Sequence, residues 1–413
     1  MSYDISSPLP SLRLDLDLVE VMPGIVALYD GMGYTDTSVR LPLEIIDLLL
    51  EGGKGRTIAE VLSDGDRNGR AIESDRFIEV VNLLETEGFF LSPGFYRRRD
   101  AIHREYNRLP VRPPAHAGFS YPEDPTELRS TLDRYLREGS DRTTDRTADG
   151  IFVPHIDPRV GGDTYGPAYN AIRDSDADTF VILGVPHTMY YDRVMFSTMD
   201  FDTPIGRLET DREFIEEFRS GLSVDLTTDQ VAHMNEHSIE FQTIFLQHLF
   251  GDREIRIVPV LLGPLSEYVE SGRGGIEQDV GWTEIYRNFT RTAELLGRKV
   301  CWIASVDFCH VGRKFGDLYD AADRLDEVRR HDLALVEEVE KGDPRGFLTR
   351  LVGNQNSFRV CGVSPMYALL RMMAPARGEL LAYDQWDERD RCSSVSFASL
   401  ALYGQESHMG ASA

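Results

Sequence analysis

The sequence predicts an α/β fold, a largely parallel sheet flanked by helices, with a small helical domain ahead of it. Three observations carry this reading. Beyond residue 115, short apolar runs alternate with longer segments of helical periodicity, as strands and crossover helices do. Before residue 100 that alternation is missing. The 413 residues also exceed what one hydrophobic core usually spans, so a second unit is expected.

In chain order, LPLEIIDLLL (41–50) and TIAEVL (57–62) read as short helices. SDRFIEVVNLLETEGFFLS reads as a longer one, with Ser74 as N-cap, Phe77, Val80, Val81 and Leu84 on one face, and Gly88 as its stop. A short FFLS strand follows. Three helices and a strand resemble a winged-helix or peptide-chaperone-like module, which sets a first domain at 1–100. Acidic residues outnumber basic ones there, so packing or partner docking is favoured over DNA contact. Arg97 to Gly118 is charged and then Pro-rich, which places a connector at 101–114, with Arg97, Arg98 and Arg99 on a solvated face.

The main domain, 115–413, is expected to hold strands at 150–154, 179–185, 256–262, 299–305 and 395–402. Helices are expected at 125–138, 211–220, 238–250, 283–297, 320–341 and 364–373. There is no internal repeat and no low-complexity tract.

Composition narrows the function. Forty-four Lys and Arg against 69 Asp and Glu give a net charge of -25, which disfavours nucleic acid or an anionic membrane surface as a partner. Four Cys without a CxxC pair fit a reducing compartment. The N-terminus carries acidic residues where a signal peptide needs basic ones, and no apolar run reaches the length of a membrane span, so a cytoplasmic location is expected.

Three apolar runs end on chemistry-bearing side chains: GIFVPHIDP on His155, TFVILGVPHT on His187, and VCWIASVDFCH on Asp307 and His310. Ligands in open α/β sheets bind beyond the carboxyl ends of the strands, so these four share one rim. A second group lies at helix starts. Glu236 and His237 precede an amphipathic helix, and Cys361 precedes one for which Ser364 is the expected N-cap and Pro365 the first helical residue. The positive end of that helix should favour a thiolate at Cys361. Thiolate and neutral imidazole suit iron, copper or zinc. Each residue has a plainer reading beside this one: a surface His, a buried Cys361, Asp307 and His310 as helix caps. Cys301 and Cys309 are expected in the core, and His103, His116, His233, His248, His331 and His408 in structural roles. Convergence of several elements on one edge favours a site.

The blocks RPPAHAGFSYPEDPTEL (112–128), VPH (153–155), ILGVPHT (182–188), EHSIEFQ (236–242), IVPVLLG (257–263), SVDFCHVG (305–312), CGVSP (361–365) and SSVSFASLALYG (393–404) together resemble the MEMO family, known in microbes as protein B of the AmmeMemoRadiSam system. The N-terminal hundred residues lie outside the resemblance. It implies a fold like that of class III extradiol dioxygenases and a cleft with two His and one Cys. Carried over by motif, His155 and His187 face the metal, Cys361 replaces the acid ligand and His237 takes the acid/base position. Asp307 and His310 form the wall. It also implies radical-SAM and AMMECR1-like partner proteins. The chain departs from the family at Ile156-Asp157-Pro158, where Asp157 is left to pair with Arg159, bind metal or cap a turn, and at Thr188, which follows His187 in place of a second His.

Two functions follow as expectations: a redox-linked metal protein using iron or copper, with zinc as a further option, that takes a small molecule in its cleft, or a non-catalytic cleft that binds a peptide or partner segment. Nucleophile-elbow, P-loop, HExxH and dinucleotide signatures are missing.

Overall fold

The computed structural model describes residues 2–67, 72–139, 146–187, 192–223, 226 and 230–404. The chain divides into two compact units, Met1–Leu109 and Pro110–Ala413.

The first unit is not a helical module with one short strand. It opens with an antiparallel sheet of Leu16–Met22, Ile25–Asp30 and Val39–Pro42, followed by helices Leu43–Leu49, Ile58–Arg67, Ser74–Glu87 and Pro93–Tyr106. The first strand escapes notice because, of its apolar residues, Leu18, Val21 and Met22 face solvent. Gly24, at a φ of 75°, supplies the turn after it. The FFLS strand shrinks to a single bridge between Leu12 and Phe90, with Phe89 and Phe90 buried among Phe77, Val81 and Leu84. Gly88 does end its helix in the left-handed conformation, but Ser74 lies inside the first turn, after Glu73. The first part of the expected connector, to Tyr106, belongs to the helix that also carries Arg97–Arg99: Ser92 accepts the Phe95 N–H (3.2 Å) and Pro93 takes the first helical position.

In the second unit a large mixed sheet is covered by helices. Its centre is four parallel strands in the order Gly150–Val153, Val300–Ser305, Thr179–Gly184 and Arg256–Leu262. All but Arg256 and the half-buried Val300 are buried, which is why the sequence shows apolar runs without alternation. Antiparallel strands extend one side, where Ser393–Gly404 pairs with Gly150–Val153, Ala376–Glu388 and His310–Gly312. Helices Pro125–Glu138, Arg212–Ser220, His237–Phe250, Val280–Leu296, Leu325–Lys341 and Val363–Met373 stand where helical periodicity places them.

Helices Pro158–Ala171 and Pro344–Gly353 were not legible in the same way. The first contains Gly161, Gly162, Gly166 and Pro167, a composition that reads as loop. Packing explains the glycines. A Cβ at Gly162 would collide with the Tyr135 ring, and one at Gly166 with the Tyr135 carbonyl, so their absence lets helix Pro125–Glu138 lie close.

The order of the central strands positions the site. Val300–Ser305 enters last yet lies between Gly150–Val153 and Thr179–Gly184, so the three carboxyl ends that carry Asp307, His155 and His187 are neighbours. No helix among the described residues is long and apolar enough to cross a membrane.

Candidate metal centre

His155 lies two residues beyond its strand and is buried. Its Nδ1 is 3.0 Å from the Ser305 carbonyl, which can only accept, so the ring proton sits on Nδ1 and Nε2 keeps its lone pair. That Nε2 is 3.3 Å from the Cys361 Sγ and 3.6 Å from Asp307 Oδ2. Asp307 Oδ1 accepts the backbone N–H groups of His155 (3.0 Å) and Ile156 (3.2 Å), tying the two strand ends together. Burial, and then the neighbouring His187, hold the His155 pKa well below its usual value, so the ring is neutral at pH 7.

His187 is oriented by one carboxylate. Glu236 accepts its backbone N–H (2.8 Å) and its Nδ1–H (2.9 Å), again leaving Nε2 toward the cleft. Burial lowers the His187 pKa, but Glu236 outweighs it and the net shift is upward. Glu236 also caps the next helix by accepting the Ser238 N–H (2.9 Å), which is why His237 stands at that helix's start. The His237 ring stacks on His187 (centroids 4.4 Å apart) and meets His155 edge-on (5.4 Å). Burial, and then His187, push its pKa well down. Donor atoms of His155, His187 and His237 lie within 4.8 Å of one another, so His237, expected as acid or base, is also within reach of a shared ion.

Cys361 precedes Gly362, the residue that begins helix Val363–Met373. The expectation of a thiolate there is overturned: burial, and then the Asp307 carboxylate, push the thiol well above its usual pKa. A helix end is outweighed by desolvation and nearby anions. Ser364 is not the cap either; it lies inside the helix with an unpartnered, buried Oγ. His310 keeps its proton on Nδ1, facing the Phe308 and Arg359 carbonyls (3.1 and 3.2 Å). With His187 and Cys361 it borders an adjoining cavity of about 510 Å³ whose apolar wall includes Leu262, Leu265 and Val269. Asp157 takes the plainer of its roles, accepting the Arg159 N–H (2.8 Å) as helix cap and pairing with the Arg159 guanidinium (2.7 Å).

The donor set fits a transition metal. Two imidazoles present Nε2 with their tautomers fixed from behind, beside a thiol and a carboxylate. Sequence reasoning passed over the scaffold behind it. Glu240, buried, pairs with Arg112 (2.7 Å) and accepts the backbone N–H groups of Ala115 and His116 and the Tyr121 hydroxyl. Gln242 donates to the Pro154 carbonyl (2.9 Å) and Ser305 Oγ (2.7 Å). The signal available was a Glu and a Gln set among the apolar residues of IEFQTIFL. His116, expected as structural, packs 5.9 Å from the His237 ring. His103, His233 and His248 are held by the Tyr34 hydroxyl, the Met195 carbonyl and Asp133. Thr188 and His408 lie outside the described residues.

A sequence model of the family described as Memo-like protein matches residues 112–401, which include every residue of this centre. The chain belongs to the Memo-like family. A MEMO1 family protein of Aquifex aeolicus is 31% identical over 382 residues, spanning 91% of this chain and 95% of the relative. The family protein of Thermus thermophilus is 26% identical over 84% of this chain, and that of Methanosarcina barkeri is 32% identical over 71% of it, each matched over its full length. The family model begins at residue 112, as the sequence reading has it, while the Aquifex alignment is longer than the second unit and so also covers part of the N-terminal unit. An uncharacterized Escherichia coli K12 protein of known structure aligns at 13% identity over 62% of this chain with a TM-score of 0.34, too distant to carry an argument.

Proposed function

We propose that this Memo-like protein is a metal-dependent, redox-linked protein whose cleft holds an ion through His155, His187 and Cys361. The observation that carries the reading is the outward fixing of both rings: Ser305 holds the His155 proton and Glu236 the His187 proton, so two lone pairs point at one place without rearrangement. Iron or copper bound there would supply Lewis acidity and electron transfer, and zinc Lewis acidity alone.

The protein's own residues then divide the work. Asp307 stands beside His155 and can share the charge of the ion. His237, neutral and packed on His187, accepts a proton from a substrate group entering the cleft. The adjoining cavity takes the apolar body of a small molecule. Radical-SAM and AMMECR1-like proteins are the partners this reading assigns, on the strength of the shared motif blocks.

Elemental analysis of protein purified without a His-tag tests the reading. We expect one equivalent of metal lost in His155→Ala and in Cys361→Ser. Unchanged metal content in both variants would favour the other reading, a metal-free cleft that binds a peptide or partner segment in the same cavity.

A further inference from the structure

A second group of unlike donors gathers at Cys309, two residues beyond Asp307. Cys309 Sγ is 2.9 Å from Asp332 Oδ1 and 3.3 Å from His331 Nδ1, and those two atoms are 3.6 Å apart. A tetrahedral site with bonds of about 2.0–2.3 Å sets neighbouring donors roughly 3.3–3.8 Å apart, which the two His331 edges meet, while the Cys309–Asp332 edge is shorter because the thiol hydrogen-bonds the carboxylate. Cys309 follows the strand Val300–Ser305, whereas His331 and Asp332 belong to helix Leu325–Lys341, so the grouping is tertiary.

The charge balance is unusual. Asp332 is fully buried, and among the described residues its carboxylate has no Lys or Arg partner: it meets the Cys309 thiol, the Tyr383 hydroxyl (2.8 Å) and His331. A buried carboxylate normally has a cation beside it. The outer atoms also have partners. Tyr383 fixes Oδ2 of Asp332, as outer partners do for metal ligands, and Asn354 lies 2.9 Å from Nε2 of His331, where its carboxamide must turn before it can support Nδ1 ligation.

We propose that Cys309, His331 and Asp332 form a second metal site, separate from the cleft, that takes a borderline-soft divalent cation such as zinc, with a fourth position for water. Binding moves two protons. The Cys309 thiol releases its proton to solvent as the sulfur–metal bond forms. Asn354 Oδ1 accepts the Asn356 N–H (3.0 Å), which aims its amide nitrogen at His331 Nε2 and leaves the ring proton on Nδ1. That proton passes to Nε2 as Nδ1 binds, and the carboxamide turns to accept it. The cation joins the loop after the central strand to a helix across the unit.

Cobalt titration of the full chain tests this, because thiolate bound to Co²⁺ gives a charge-transfer band. Cys361→Ser removes the cleft thiol and leaves the proposed site intact; the band should persist there and vanish in Cys309→Ser/Cys361→Ser. Asp332→Asn/Cys361→Ser provides an independent check, with at least a tenfold loss of affinity expected and folding followed by circular dichroism. Absence of the band in Cys361→Ser, or its survival in the Cys309→Ser/Cys361→Ser double variant, overturns the proposal. Failure of the cleft reading looks different: wild type and Cys361→Ser would then bind the same number of equivalents.

Discussion

Glu236 holds His187 at two points, its backbone N–H at 2.8 Å and its ring Nδ1 at 2.9 Å, and so fixes both where the ring stands and which nitrogen is free. Glu236→Gln keeps the shape but lets the amide offer a donor, so the ring can adopt either tautomer. Metal affinity of the cleft should fall by about 10- to 100-fold with the fold retained. Competition with a chromophoric chelator, alongside circular dichroism, measures both; unaltered affinity would show that Glu236 serves only as the helix cap.

Cys361 should alkylate slowly in metal-free protein at neutral pH. Its thiol pKa is raised by burial and by Asp307, so little thiolate forms near pH 7, and the rate should climb only as the pH passes well above the ordinary thiol range. Iodoacetamide labelling followed by peptide mass spectrometry reads the rate at each pH. Rapid labelling at pH 7 would show that the helix end wins after all.

The Arg112 and Glu240 pair supports the segment that carries His116. Both side chains are buried, so Glu240→Ala takes the carboxylate away from the guanidinium and should cost about 3–5 kcal/mol. Burial pushes the Glu240 pKa up, but Arg112 more than offsets it and the net shift is downward. A depressed carboxylate pKa stabilises the fold at and above the ordinary carboxylate range, and this contribution is lost as pH falls through the lowered value. The stability gap between wild type and Glu240→Gln in urea melts should therefore be full at pH 7 and narrow in acid. A gap that is constant down to pH 3 would contradict the pairing.

Gly166→Ala tests the helix that follows His155. The new methyl meets the backbone carbonyl of Tyr135, which cannot rotate away, so helices Pro158–Ala171 and Pro125–Glu138 must separate. We expect a loss of about 1–3 kcal/mol, seen as a lower Tm, with the metal affinity of the folded protein changed little. A wild-type Tm would mean that the two helices yield freely.

The sequence by itself determined the parts that depend on local pattern. Unalternating apolar runs gave the four parallel strands because those strands are buried on both faces, and Gly88 marked a helix end because it alone accepts φ of 82° there at no steric cost. The rim positions of His155 and His187 followed from strand ends, and that of His237 from the start of the helix it precedes. Only the tertiary structure decided the rest. A Gly- and Pro-rich segment became a helix because a neighbouring helix needed the space, and the Cys361 thiol is pushed up by its burial and then by the carboxylate of Asp307, distant in sequence. Cys309 met His331 and Asp332 across 22 and 23 residues for the same reason. Hydrogen-bond periodicity and side burial are written in consecutive residues, whereas protonation and ligand grouping depend on charges and distances through space that no consecutive stretch contains.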